Sequence, residues 1–117
     1  MQTIEIGHGD EHRLRGVRGV VVVIDVIRAF TTAAVAATHG VRQLLCVADL
    51  DDAIARRAID PTMALVGEHH GDRFEGLDYW NSPCELDAAG PRLLDGRSLV
   101  FRTTNGTRVL SAATDAD

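Results

Sequence analysis

Residues 98–108 read Ser-Leu-Val-Phe-Arg-Thr-Thr-Asn-Gly-Thr-Arg. The first five form a short apolar run of strand character. A polar turn follows, and a helical pattern runs from Asn105 to Ala113. Strand, tight polar turn and helix are the repeating unit of an α/β fold. The turn also carries chemistry. Helix starts leave backbone N–H groups free at a positive dipole end and so attract anions. Gly106 allows close backbone approach to a ligand, and Thr103, Thr104 and Thr107 are hydroxyl donors beside the Asn105 amide. The competing reading is a capping turn without a ligand, since Thr and Asn are ordinary cap residues.

The same unit recurs toward the N-terminus. Residues 17–24, Val-Arg-Gly-Val-Val-Val-Val-Ile, are dense in β-branched side chains and predict a strand buried on both faces. An Ala-rich helix over 31–39, ended by Gly40, is expected next, then a strand over 41–48. Asp49 is placed to cap a helix to about Ala58, with Asp51 and Asp52 in its first turn; Asp60-Pro61 breaks it. Residues 63–67 predict a further strand, 68–82 an irregular segment and 83–89 a short helix. Residues 2–6 alternate weakly and predict an edge strand. Strands alternating with helices imply a mostly parallel sheet covered by helices, with ligands beyond the carboxyl ends of the strands. Three polar segments fall there: 25–32, 68–85 and 103–108.

Composition narrows the chemistry. The 117 residues suit a single α/β domain spanning 1–117, and 45% apolar content places the chain among globular proteins. A net charge of −5 with scattered arginines argues against nucleic acid. All 12 basic residues are Arg, so P-loop, Schiff-base and lysine-base chemistries are excluded. Cys46 and Cys84 make neither a disulfide framework nor a zinc site. The start lacks the charged-then-apolar pattern of a signal peptide, and the run 20–26 is too short for a membrane span. A cytoplasmic protein without a membrane partner is expected.

Asp25 ends the apolar run, and Arg28, Thr31 and Thr32 follow as the next helix opens. A strand-end carboxylate suits Mg2+, which takes hard oxygens and often only one or two carboxylates plus a substrate phosphate. Arg28 is suited to clamp an oxyanion in two-pronged fashion. The alternative is that Asp25 and Arg28 pair and cap the helix. An aspartyl-phosphate mechanism would want a second Asp at position 27, where Ile27 stands. Glu68 is a candidate for Mg2+ or for activating water. His69 and His70 point to opposite sides in extended chain and lack a third ligand at metal-site spacing. Asn81 and Ser82 offer donors, although Ser82 with Glu85 has capping-box spacing and Pro83 suits a first helical turn. Tyr79 and Trp80 are expected as a lid on the sheet edge.

Three ordered blocks now stand together: Val-Val-Ile-Asp-Val-Ile-Arg-Ala-Phe-Thr-Thr over 22–32; Gly67-Glu68 with Gly76-Leu77-Asp78 and Asn81-Ser82-Pro83-x-Glu85; and Thr-Thr-Asn-Gly-Thr-Arg over 103–108. In this combination the chain resembles the 2-phosphosulfolactate phosphatase family. The resemblance implies a three-layer α/β/α fold and Mg2+-dependent hydrolysis of 2-phosphosulfolactate to sulfolactate and phosphate, a step of coenzyme M synthesis. Asp25 and Glu68 are the candidate catalytic and metal-binding residues. Arg28, Thr31, Thr32, Asn81, Ser82, Thr103, Thr104, Asn105, Gly106 and Thr107 are the candidate substrate contacts. Trp80 departs from the pattern, standing where a small residue is expected before Asn-Ser-Pro. Family members continue into a second α/β half, so these residues correspond to an N-terminal portion. A homo-oligomer, or pairing with the missing half, is then expected. The rival reading is a non-catalytic phosphate- or sulfonate-binding module.

Overall fold

The computed structural model describes residues 4–114. Four strands form one sheet: β1 (Gln43–Val47), β2 (Ala64–Gly67), β3 (Tyr79–Trp80) and β4 (Ser98–Arg102), in the order β1-β4-β2-β3. Every neighbouring pair is parallel. Five helices accompany them: α1 (Glu11–Leu14), α2 (Ala29–Thr38), α3 (Leu50–Ile59), α4 (Pro83–Leu94) and α5 (Gly106–Ala112).

Alternation along the strands builds two cores, because successive side chains leave opposite faces. Ala64, Val66, Leu99 and Phe101 pack on one face against Ala29 and Ala36 of α2 and Leu86 and Leu94 of α4. Leu65 and Val100 face the other way, with Val47, Met63 and Ala53 of α3. The result is α/β with helices on both faces of a parallel sheet, as expected. Burial of every residue of β4 follows from its central place.

Register sets the functional edge. Gly67 lies opposite both Arg102 and Trp80, and Val47 opposite Arg102. All strands therefore end at one level, and Glu68, Asn81 and Thr103 leave the sheet side by side. Gly67 has φ 147, and a Cβ there would lie 1.7 Å from the Arg102 carbonyl oxygen. Only glycine permits that approach.

Four expectations are corrected. Residues 17–24 are not a strand buried on both faces. Among the described residues, backbone groups of 20–24 make no backbone hydrogen bond. Val20, Val22 and Ile24 are 86%, 75% and 79% exposed, while Val21 and Val23 are half-buried. The central strand β4 already has β1 and β2 on its two edges, so no pairing position beside it remains. Residues 4–6 of the expected edge strand are likewise unpaired and exposed, and Gln2 and Thr3 lie outside the described residues. Tyr79 and Trp80 are not a lid but an edge strand, parallel to β2. The short helix expected over 83–89 continues to Leu94, across a non-helical Gly90 at φ 61.

Candidate functional site

A cavity of about 240 Å3 opens at the carboxyl edge of the sheet. Asp25, Ile27, Arg28, Glu68, His70, Gly71, Asn81, Thr103, Thr104 and Asn105 line it. Residues from all three polar segments thus meet, as strand-end geometry in an open α/β sheet requires.

Asp25 comes from the turn before α2, where its carbonyl accepts from the Phe30 amide at 3.1 Å. Its carboxylate packs against the start of α5: a Cβ on Gly106 would lie 2.6 Å from Asp25 Oδ2 and 2.8 Å from Ala29 Cβ. Gly106 is therefore the gap that seats Asp25, a role distinct from direct ligand contact. No hydrogen bond to the Asp25 carboxylate occurs among the described residues, and it is in none of their ion pairs. The alternative of an Asp25–Arg28 pair is not realised. Arg28 instead lies over the Trp80 ring, Cζ 4.6 Å from its centroid.

Glu68 is committed differently. Its carboxylate accepts from the Thr104 amide, from the Thr104 hydroxyl at 2.7 Å and from the Gly71 amide at 2.6 Å. Burial opposes its ionisation, but the Thr104 and Gly71 amides, the Thr104 hydroxyl and the Arg102 charge outweigh that, and its pKa is lowered. Arg102 also donates to the Glu68 carbonyl at 2.8 Å. Glu68 thus laces the loop after β2 to the loop after β4. Its oxygens are occupied by donors, whereas those of Asp25 are free.

Most of the hydroxyls expected at the ligand serve the backbone. Thr103 and Thr107 are buried and reciprocal: Thr107 Oγ1 accepts from the Thr103 amide at 2.8 Å, and Thr103 Oγ1 accepts from the Thr107 amide at 3.1 Å. Thr104 Oγ1 also accepts from the His70 amide at 2.8 Å. Thr31 and Thr32 donate to the carbonyls of Val26 and Arg28. Ser82 Oγ caps α4, accepting from the Glu85 amide at 3.3 Å. Thr31, Thr32, Ser82, Gly106 and Thr107, expected as substrate contacts, do not line the cavity. Asn105 does line it, and its side chain makes no capping bond. Asn81 is 5% exposed and leaves its buried Oδ1 without a partner among the described residues. A buried acceptor of that kind is costly unless a ligand or water answers it.

Ile27, His70 and Gly71, none of them among the expected site residues, also line the cavity. The adjacent Gly-Glu-His-His-Gly turn was the only signal, and His70 adopts φ 51 within it. No cluster of three or more His, Cys, Asp or Glu suited to a metal occurs among the described residues. That donor set does not fit a zinc centre. It fits Mg2+, for which one free carboxylate with water and phosphate oxygens is sufficient.

A parallel α/β protein with a polar strand-end cavity, lined by a carboxylate and an arginine that lack ion-pair partners among the described residues, has the makings of an anion-handling site. The family follows from comparison. The family model described as 2-phosphosulpholactate phosphatase matches residues 8–117. A Bacillus subtilis (strain 168) relative, named "Probable 2-phosphosulfolactate phosphatase", is 38% identical over 113 residues, covering 97% of this chain and 48% of the relative. A Caldanaerobacter subterraneus protein of the same name is 34% identical over 99 residues, 83% of this chain and 40% of the relative. Another, from Synechococcus sp. (strain CC9605), is 44% identical over 91 residues, 76% of this chain and 36% of the relative. The chain belongs to the 2-phosphosulfolactate phosphatase family, and it spans less than half the length of these relatives.

Proposed function

We propose that the protein acts in Mg2+-dependent hydrolysis of a small phosphate monoester, 2-phosphosulfolactate, to sulfolactate and phosphate. The observation that carries this is the free carboxylate of Asp25 and free guanidinium of Arg28 lining one cavity, in a chain of this family. Water attacks phosphorus, the P–O bond to the sulfolactate oxygen breaks, and that oxygen takes up a proton. Asp25 would hold the Mg2+, which when bound neutralises phosphoryl charge and lowers the pKa of water. Arg28 binds phosphoryl or sulfonate oxygens. The Asn81 carbonyl oxygen orients a donor, in keeping with the attacking water. Asn105 offers a further amide at the rim. Glu68 keeps the two loops in place. The proposal includes a cytoplasmic setting and a place in coenzyme M synthesis.

Phosphate release from 2-phosphosulfolactate, with Mg2+ and then with EDTA, tests it. Release that stops in EDTA and returns with Mg2+ is expected; release unchanged by EDTA overturns the metal role. The second reading, an anion-binding module, is favoured by the commitment of both Glu68 carboxylate oxygens to Thr104 and Gly71, which leaves Asp25 as the uncommitted carboxylate at the cavity among the described residues. Phosphate binding without turnover would select it. Asp25→Asn separates the two: turnover is lost in an enzyme, whereas simple anion binding is kept or tightened by removal of a negative charge.

An exposed strand edge supports a polypeptide partner as part of this proposal. Among the described residues, 20–24 present an unpaired backbone and an apolar row ending in Val26 and Ile27, 67% and 89% exposed. Such a strand edge invites pairing. Its occupant in this proposal is polypeptide corresponding to the part of the relatives outside the match.

A further inference from the structure

Arg28 carries no ion pair and no side-chain hydrogen bond among the described residues, yet its position is well defined. Its carbonyl is held by the amide and the hydroxyl of Thr32, both at 3.0 Å. Among the described residues, its guanidinium is held by Trp80 alone. The indole is itself anchored on both sides of its backbone. Trp80 is paired with Gly67 in β3, its amide donates to Glu85 Oε1 at 3.2 Å, and the next amide, of Asn81, donates to the Gly67 carbonyl at 2.8 Å. A second cation stands near the ring. Arg73 lies 5.8 Å from the centroid and is ion-paired to Glu85. Trp80 Nε1 is buried without a partner among the described residues, so the ring's orientation is not set by a hydrogen bond of its own.

We propose that Trp80 is a positioning residue: its ring holds the Arg28 guanidinium at the cavity while leaving the cation's charge uncancelled for an oxyanion ligand. The chemical reason lies in how the alternatives would work. A carboxylate beside Arg28 would orient it equally well but would occupy two of its five N–H donors and neutralise it. An aromatic face attracts the cation through its quadrupole and offers no anionic oxygen. The ligand class is a tetrahedral or planar group with adjacent terminal oxygens, as in phosphate, sulfonate or carboxylate. This rests on the anion-handling reading of the same cavity. It adds what sets the affinity of that anion, and it gives a function to the residue that departs from the sequence pattern expected there.

The chain contains one Trp, so emission under tryptophan-selective excitation reports this ring alone. Titration with inorganic phosphate, followed by emission and by calorimetry, is the test. In the unaltered protein, phosphate is expected to change the emission saturably, with the calorimetric midpoint. Trp80→Phe keeps an aromatic face and should bind phosphate within a few-fold. Trp80→Leu keeps apolar bulk but no quadrupole and should bind about tenfold more weakly. Arg28→Ala should abolish both binding and the emission response, with far-ultraviolet circular dichroism unchanged. Three outcomes overturn the proposal: equal phosphate affinity for Trp80→Leu and the unaltered protein, calorimetric binding without an emission change, or no saturable binding at all. Failure of the phosphatase reading looks different. There, phosphate binding and the emission response persist while 2-phosphosulfolactate is not hydrolysed.

Discussion

Two apolar runs of equal length, β4 and residues 20–24, have opposite fates. Every residue of Ser-Leu-Val-Phe-Arg is buried. Val-Val-Val-Val-Ile, more β-branched and more apolar, exposes alternate side chains and pairs with nothing described. By composition the second is the better strand. The difference is neighbours: β4 has a strand on each edge and a helix layer on each face, whereas residues 20–24 have no described strand beside them. Burial is a property of the assembly around a segment, and only indirectly of the segment.

Truncation is the strongest way to break the comparison. Phe101→Ala empties a fully buried site in the middle strand and should lower unfolding free energy by about 3–5 kcal/mol, while Val22→Ala should stay within about 0.5 kcal/mol. Urea unfolding of both variants decides it, and similar losses would mean that 20–24 is packed in solution.

The polar edge gives the next largest effect. Glu68→Gln keeps one acceptor but turns a donor toward the Gly71 or Thr104 donors. A loss of about 1–3 kcal/mol is expected. A melt identical to the parent would show that the carboxylate does not lace the two loops.

Acid probes the same lacing. For Asp78, burial opposes ionisation, but the Arg57 contact, the Leu65 amide and the Arg57 and Arg97 charges outweigh it, so its pKa, like that of Glu68, is lowered. A lowered folded-state pKa stabilises above the ordinary carboxylate value and is lost as pH falls through the folded value. The melting temperature should therefore decline below about pH 4. The decline should be shallower in a Glu68→Gln, Asp78→Asn double variant. Equal slopes would remove these two groups as its cause.

The smallest effect on stability, and the sharpest on the comparison, concerns 20–24 itself. Amide exchange should be fast there and slow in β4, since only β4 has ladder bonds. Protection of 20–24 that rises with protein concentration would make a second copy, rather than the remainder of the family fold, the occupant. Val22→Ser should leave the melt nearly unchanged and weaken capture of whichever partner pairs there.

Much of the architecture was legible from local pattern. β1, β2 and β4 and helices α2, α3 and α5 lie within a few residues of expectation, because period, capping and breaker residues act locally. α1 and β3 were not foreseen, being only four and two residues long. α4 ran past its expected end because Gly90 interrupts the helix without ending the packing of Leu94. At the site, Asp25, Arg28, Glu68, Asn81, Thr103, Thr104 and Asn105, expected from the polar segments after the strands, line the cavity. The roles of the threonines were not legible, because a hydroxyl in sequence says nothing of which acceptor it will meet.

By itself, then, the order of apolar runs, breakers and polar turns determined a parallel α/β sheet and the edge at which its chemistry gathers. Tertiary structure alone decided which groups there are spent and which are free. Glu68 is engaged by the amide and hydroxyl of Thr104 from the other loop, and Asp25 stays open over Gly106. The reason is physical. Strand formation follows from period and propensity within a few residues, whereas the state of a polar group depends on partners that register and crossover bring together from 34 to 36 positions away.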